Sequence, residues 1–555
     1  MIELQLDESS WEHSFHAGGE TSVSVKGPVE IYLRGHVYCQ EKSLRVDELH
    51  QHIPVFSENL TDLMAALASL AGFYCIIICT ERRTIAVVDS VRSFPLFYLR
   101  HEDCTYISES AEAMRELARC KSFDPQSVTQ FNHTGYVTGS RTLFKEICQL
   151  QAGELIIAEN SSSGHPDCHR YWRFTHDEDS ASIRSDNFDS LLEKSLAIAV
   201  SRCIDYAGGR QIVLPLSGGY DSRLLATEFS RQNCPNLLAI SYGEEKSKEL
   251  PVARRVADSL DIEWQLVLYS ASDWEGAVTD DERLDYEKNA SGWCSLPHFQ
   301  DWLAVKRLKR EGRVDPDCVF VPGHTGDFVS GGHLPEEIFR NSTVTLQELR
   351  NHIVKKHYKL LPGMNAECSS ILSVLNEESL NSSNESISNA KAASLFEEWE
   401  WQERQAKYIV NSVRVYEHCG YDWWLPLWDR EFVEFWKEVP LALRRGKRRY
   451  NEFVVNHYKV HGKSARQESH SASRTRIGKQ LAILVRQFAP DSVMEKIRRE
   501  RKVTQIRRGF LGYKGRLKGL DWKKMTRAGI PINGLNVWLF LNGAGNRYMP
   551  PDEKS

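Results

Sequence analysis

The segment QIVLPLSGGYDSRLLATEFS, Gln211 to Ser230, constrains this chain's fold more than any other. Its first half is a short apolar run of the kind buried in a parallel sheet. Its second half carries apolar residues at helical spacing. Between them stands Ser-Gly-Gly, a tight turn with no Cβ in the way. A helix starting there aims its free N–H groups at whatever occupies the turn, which suits an anion and phosphate above all. Ser217 and Ser222 add hydroxyl donors. Asp221 would repel a bare phosphate unless a divalent cation sits between them, and carboxylate plus phosphate oxygens is ordinary Mg2+ ligation. The segment is not a GxxxxGK[ST] loop.

The pattern continues on both sides. NFDSLLEKSLAIAVSRCI and KELPVARRVADSLD have helical spacing, and NLLAISYG and EWQLVLYS read as strands. Strands alternating with helices imply a parallel sheet with right-handed crossovers. The N-terminal third reads differently. VEIYLRGHVYC, the two halves of GFYCIIICTERRTIAVVDS and GELIIAEN are strand-like by alternation and β-branched content. SENLTDLMAALASLAG is a helix with Ser57 or Asn59 as its cap, and Glu159 to His169 reads as a turn-rich loop near a boundary. The expected class is α/β and α+β, with domains over residues 1–175 and 185–465 and a basic, helical extension over 466–555.

Bulk properties exclude several functions. Among 555 residues 41% are hydrophobic and 26% charged, which is ordinary globular composition. The formal net charge of -5 gives no basic field for nucleic acid. No apolar run has the ~18 residues of a membrane helix. The N-terminus lacks the pattern of a secretory signal. The 13 cysteines are scattered singly, without a CxxC pair, so the expectation is reduced thiols in a cytoplasm.

The Ser217–Ser222 stretch resembles the PP-loop signature SGGxDS of the N-type ATP pyrophosphatases, which cleave ATP between the α and β phosphates. Three further stretches choose among those families. AISYGEEKSKELPVARRVADSLDIEWQLV is similar to the second strand and helix of asparagine synthetases. GHTGDFVSGGHL, Gly323 to Leu334, resembles their GEGxDExFGGY, and LPLWDREFVEFWKEVPLALRRGKRRYNEFV their PFLDxxFVEF segment with its basic sequel. In the N-terminal third, GFYCIIICTERRTIAVVDSVRSFPLFY resembles the GxFAF…RDxxGxxPLYY core of the glutaminase domain, and TLFKEICQLQAGELIIAEN its TxFxGIxxLxPGxxL segment. The resemblance spans roughly residues 30 to 460 and implies an Ntn-hydrolase-like β-sandwich with flanking helices, then a PP-loop parallel-sheet synthetase domain with added helices. It implies ATP and Mg2+ as cofactors. Leu216, Ser217, Gly218, Gly219, Asp221, Ser222, Tyr242, Gly243 and Gly323 would border ATP, Asp221 and Asp327 would hold the metal, and Lys447 or Arg449 would neutralise pyrophosphate.

Two departures shape the expected function. The family's N-terminal cysteine nucleophile is Ile2 here, and its glutamine-gripping GEIYN is GHVYC, Gly35 to Cys39. The shell is therefore expected to lack glutaminase activity, with Cys39 a packed thiol. The glutamate of the family's GEG is His324, a residue able to act as a base. The expected reaction joins a small-molecule or peptide carboxylate, through an acyl-adenylate, to an amine or ammonia. Nitrogen would come from free ammonia, a separate glutaminase or an amine substrate. The rivals are a nucleic-acid-modifying PP-loop protein and a non-catalytic protein that kept the fold. Elsewhere, His165, Cys168 and His169 are expected to be solvated loop residues, not a metal site. Trp423, Trp424 and Trp428 are expected to pack the core, Arg404 to be a surface charge, and the basic run Lys496 to Arg508 to be a solvated helix face.

Overall fold

The computed structural model describes residues 2–6, 11–15, 21–54, 59–101, 104–159, 164–178, 181–277, 281–361, 386–462, 491–507 and 522–544. The N-terminal third forms two antiparallel sheets. One has seven strands, with Leu70–Cys79 at its centre between Val29–Cys39 and Arg83–Val88. The other has five, running Ile147–Gln149, Phe97–His101, Cys104–Ser108, Ile2–Leu6, Trp11–Phe15. Alternation explains their meeting. Cys75, Ile77 and Cys79 from the first sheet share an apolar cluster with Ile107 of the second. Ile76 and Ile78 point the other way, into a cluster that also holds Leu63 and Leu67 of the helix Leu60–Ser69. Asn59 caps that helix, accepting from Thr61 N at 3.0 Å, and Ser57 lies outside the described residues. The loop expected over Glu159–His169 is shorter than its composition suggests. Its end, Asp167–Arg170, pairs with Glu154–Glu159 as a strand.

The second unit is a five-stranded sheet in the order Glu263–Leu268, Leu237–Gly243, Ile212–Pro215, Val319–Phe320, Asp422–Trp423, with every pairing parallel. Its central strand is the apolar run that opens the Gln211–Ser230 segment. The helices Phe188–Ala207, Tyr220–Arg231 and Leu250–Leu260 accompany it. Trp423, Trp424 and Trp428 are buried, as expected of packing residues. Among the described residues no helix is long and apolar enough to cross a membrane.

Of the C-terminal region, Asp491–Arg507 is a helix with Val503 and Ile506 buried and Lys496, Arg501 and Arg507 exposed, while Arg508 lies outside the described residues. The helix Ile532–Leu539 packs back on the body: a Cβ on Gly534 would lie 2.8 Å from Ile530 Cγ2 and closer still to the Leu360 carbonyl oxygen.

Arg202 ties the two units together. Its guanidinium donates to Asp429 Oδ1 at 2.8 Å and to the Gln40 carbonyl at 2.7 Å, with side chains 4% and 1% exposed. Removing one partner of a buried pair leaves an uncompensated charge, at a cost of about 3–5 kcal/mol. Arg202→Ala should therefore lower the unfolding temperature markedly, whereas Arg210→Ala, which breaks a more exposed pair with Asp422, should change it little. Differential scanning calorimetry of the two variants checks this.

Candidate active site

The central strand ends at Pro215 and the next helix begins at Tyr220, so Leu216 to Gly219 form the turn between them. Ser217 Oγ accepts from Gly219 N at 3.1 Å and meets Ser222 Oγ at 3.0 Å, while Ser217 N donates to Ser222 Oγ at 3.1 Å. The loop is thus closed on itself. Gly219 has φ -76° and ψ 175°, a conformation open to any residue. Its lack of a side chain serves approach to the loop, not backbone freedom.

Beside the loop lies a cavity of about 570 Å3, lined by Leu216, Ser217, Tyr242 and Gly243 with Glu249 and Trp274 among its other walls. This is an ordinary size for a small-molecule site. Tyr242 is fixed on its wall: its phenol donates to Asp301, whose other oxygen accepts from Tyr416 at 2.9 Å.

Asp221, in the first turn of the loop helix, and Asp327, 106 positions apart, meet where Asp327 N donates to Asp221 Oδ2 at 3.2 Å. The phenol of Tyr450 donates to Asp221 Oδ1 at 2.8 Å. The Asp221 carboxyl is recessed but partly open. Burial first, and then the neighbouring Asp327 charge, push it up to about 6. Two converging carboxylates fit a divalent cation, the donor set Mg2+ takes. Lys447 Nζ pairs with Asp327, and Lys447 itself has a left-handed backbone, φ 50°.

Two glycines allow this convergence. A Cβ on Gly326 would sit 2.7 Å from the Asp221 carboxylate, and one on Gly332 would sit 2.7 Å from Asp327 O and 3.0 Å from Lys447 Cδ. Thr325, between His324 and Gly326, has φ 96°, an outlier for a β-branched residue and a sign of strain held at the site.

His324 lies in the same turn. Its Nδ1 is 3.1 Å from Thr325 Oγ1 and its Nε2 is 3.4 Å from Ser412 Oγ. Dense enclosure, and then His298, push its imidazole down to about 3. Such a ring is neutral at pH 7 and a weak proton acceptor. Arg449 is not brought to this site. It donates to Asp189 at 3.2 Å and lies over the Phe188 ring. Of the two cations considered, Lys447 alone reaches Asp327.

Residues singled out elsewhere do not form a second centre. Cys168 and His169 are neighbours on a strand, so their side chains leave opposite faces, and His165 precedes that strand. Cys39 is a half-buried free thiol packed against the core. Arg404 is not a plain surface charge: it pairs at 3.3 Å with Glu400, which is fully buried. Tyr450 was missed by sequence reasoning. It lies 229 positions from Asp221, and only its place beside the basic stretch hints at it.

Gly326→Ala tests the convergence. Its methyl group should force Asp221 and Asp327 apart. Mn2+ affinity, read by electron paramagnetic resonance, should fall while circular dichroism remains native.

Residues 191–452 match the asparagine synthase family, and residues 61–172 match a glutamine amidotransferase domain. No curated protein matches the chain. Among solved structures it is similar to the glutamine phosphoribosylpyrophosphate amidotransferase from B. subtilis complexed with ADP and GMP, at 11% identity and TM-score 0.19, covering 54% of this chain and 62% of that one. It is likewise similar to an allosteric regulatory enzyme of purine biosynthesis, at 12% identity and TM-score 0.19, covering 55% of this chain and 58% of that one. Likenesses this slight carry no argument about function, and the chain spans about three-fifths of each. Along the chain a glutamine amidotransferase domain over residues 61–172 is thus followed by an asparagine synthase domain over residues 191–452.

Proposed function

We propose that the chain is an ATP-dependent carbon–nitrogen ligase that activates a carboxylate as an acyl-adenylate with release of pyrophosphate, then joins the acyl group to an amine or ammonia with release of AMP. The observation that carries this reading is the meeting of Asp221, Asp327 and Lys447 beside the Ser217–Ser222 loop. Ser217 N and Gly219 N are held by loop hydroxyls, so Gly218 N and the first N–H groups of the helix at Tyr220 receive phosphate oxygens. Leu216, Tyr242 and Gly243 border the nucleotide in the adjoining cavity. Asp221 and Asp327 would hold Mg2+, which neutralises phosphate charge and polarises the α-phosphate for attack.

The substrate carboxylate attacks the α-phosphorus, and the bond to the β-phosphate oxygen breaks. Lys447 leaves Asp327 for the departing pyrophosphate and stabilises its charge. Tyr450, donating to Asp221, keeps that carboxylate ionised and oriented. His324 stays neutral, held between the hydroxyls of Thr325 and Ser412. Its depressed basicity makes it a poor acceptor for an ammonium proton, so we assign it a positioning role in place of the base expected from the sequence.

The N-terminal domain is read as a shell without glutaminase activity. In this domain His36 stands where the family has a glutamate, and its ring packs between Tyr38, Tyr206 and Trp424. Burial lowers its basicity, so it supplies no charge for a glutamine amine or carboxylate. The nitrogen then enters as free ammonia, from a separate glutaminase or as a substrate amine. The described cysteines are free thiols, in keeping with a reducing cytoplasm.

Asp221→Asn removes one metal ligand with little change in shape. Pyrophosphate release, scanned over candidate acids, should fall below detection while ATP still protects the protein against heat. Turnover at the wild-type rate would remove the metal site from the mechanism. In a separate assay the purified wild-type protein should release no glutamate from glutamine, and release that disappears in Cys39→Ala would restore a working glutaminase to the N-terminal domain.

A further inference from the structure

A second cavity, of about 670 Å3, lies between the N-terminal sheets and the parallel-sheet unit and shares no lining residue with the nucleotide cavity. Its wall presents Arg34, Arg92 and Arg414 with Glu109 and Glu417. Three guanidiniums meet two carboxylates there. Arg34 pairs with Glu109, and Arg414 with Glu417 at 2.6 Å. Arg92 has no carboxylate within ion-pair distance among the described residues, although it is 2% exposed. Its Nε donates to the Leu150 carbonyl at 2.9 Å, and a terminal nitrogen lies 3.7 Å from Cys294 Sγ. A buried charge ordinarily has a charged partner. The Arg414 guanidinium, disfavoured mainly by its burial, also feels Arg34 and Arg92 as like charges, so the cations share one neighbourhood.

The backbone at Arg92 adds an independent sign. Its φ is 55°, in the left-handed region. The motif that VDSVRSFPLFY resembles, RDxxGxxPLYY, has glycine at this position. An arginine there accepts backbone strain that glycine avoids, and strain of this kind gathers at ligand-binding sites. Phe94 and Pro95 line the same cavity and offer an apolar surface beside the excess positive charge.

We propose that this cavity binds a small carboxylate-bearing molecule, with Arg92 pairing its carboxylate and Phe94 and Pro95 covering its apolar part. The site adjoins the candidate active site. Asn411, on its wall, precedes Ser412, whose hydroxyl lies 3.4 Å from His324 Nε2. An occupant is thereby placed to influence the position of His324 through that short segment.

Thermal unfolding of the full-length protein, without ATP, tests the site independently of the ligase reading. The probes are acetate, butyrate, succinate and glutamate, each as the sodium salt at constant ionic strength, with inorganic phosphate and methylammonium chloride alongside. At about ten times its Kd, a bound carboxylate should raise the unfolding temperature by about 1 °C or more. Arg92→Gly should abolish that shift while its own unfolding temperature holds or rises, because glycine fits the left-handed backbone. Arg92→Lys, which keeps the charge, should retain part of the shift. A shift from phosphate alone would overturn the carboxylate assignment. No carboxylate shift, or equal shifts in the wild type and Arg92→Gly, would overturn the site.

Discussion

Two carboxylates forced together govern the rest of this site. Asp221 starts the helix after the central strand, and Asp327 follows the neighbouring strand, so parallel pairing delivers both to the same end of the sheet. Ligands of open α/β sheets gather at that end. Burial first, and then the Asp327 charge, raise the Asp221 carboxyl, and the surroundings answer with Tyr450 and Lys447, from the first turn of one helix and the residue just before it. That segment approaches only because Gly331 and Gly332 present no side chains: a Cβ on Gly331 would sit 2.8 Å from Arg444 Cβ. The strained backbones of Thr325 and Lys447 bracket the same place.

Much of this was legible in the sequence. The alternation of apolar strands with amphipathic helices between Asn187 and Ser270 gave the parallel sheet, because buried parallel strands cannot be polar on either face. The loop residues Ser217 to Ser222 were legible because a strand, a tight turn and a helix fall within one short stretch. Asp327 needed the resemblance of its surroundings, since nothing local ties it to a residue 106 positions earlier. Tyr450 and the diverted Arg449 were not legible. Both lie on the helix Arg448–His461, and which side chain reaches the site depends on how that helix is set against the helix Tyr220–Arg231. The buried cluster around Glu400, which gathers His333, Lys356 and Arg404, was hidden for the same reason: its members come from separated elements.

The N-terminal domain is organised around its two packed sheets. The two antiparallel sheets remain packed through alternate side chains, and Asp89, buried and accepting from Tyr74 N and Val91 N, still organises the turn after the Arg83–Val88 strand. Around that turn Arg92 takes a position where the resembled motif has glycine, and His36 packs against aromatic rings. The domain therefore contributes a wall to the cavity between the units, and Arg202 holds it in register with the synthetase half.

The central claim is that Asp221 and Asp327 hold one metal ion against phosphates seated on the Ser217–Ser222 loop. The most direct measurement is a crystal structure with Mn2+ and an ATP analogue carrying a methylene bridge between the α and β phosphates, with the metal located by anomalous scattering. The account predicts a peak about 2.0–2.2 Å from one oxygen of each aspartate and from phosphate oxygens whose other contacts are the loop's N–H groups. A metal bound away from either aspartate, or phosphates lying elsewhere than on the loop, would contradict it.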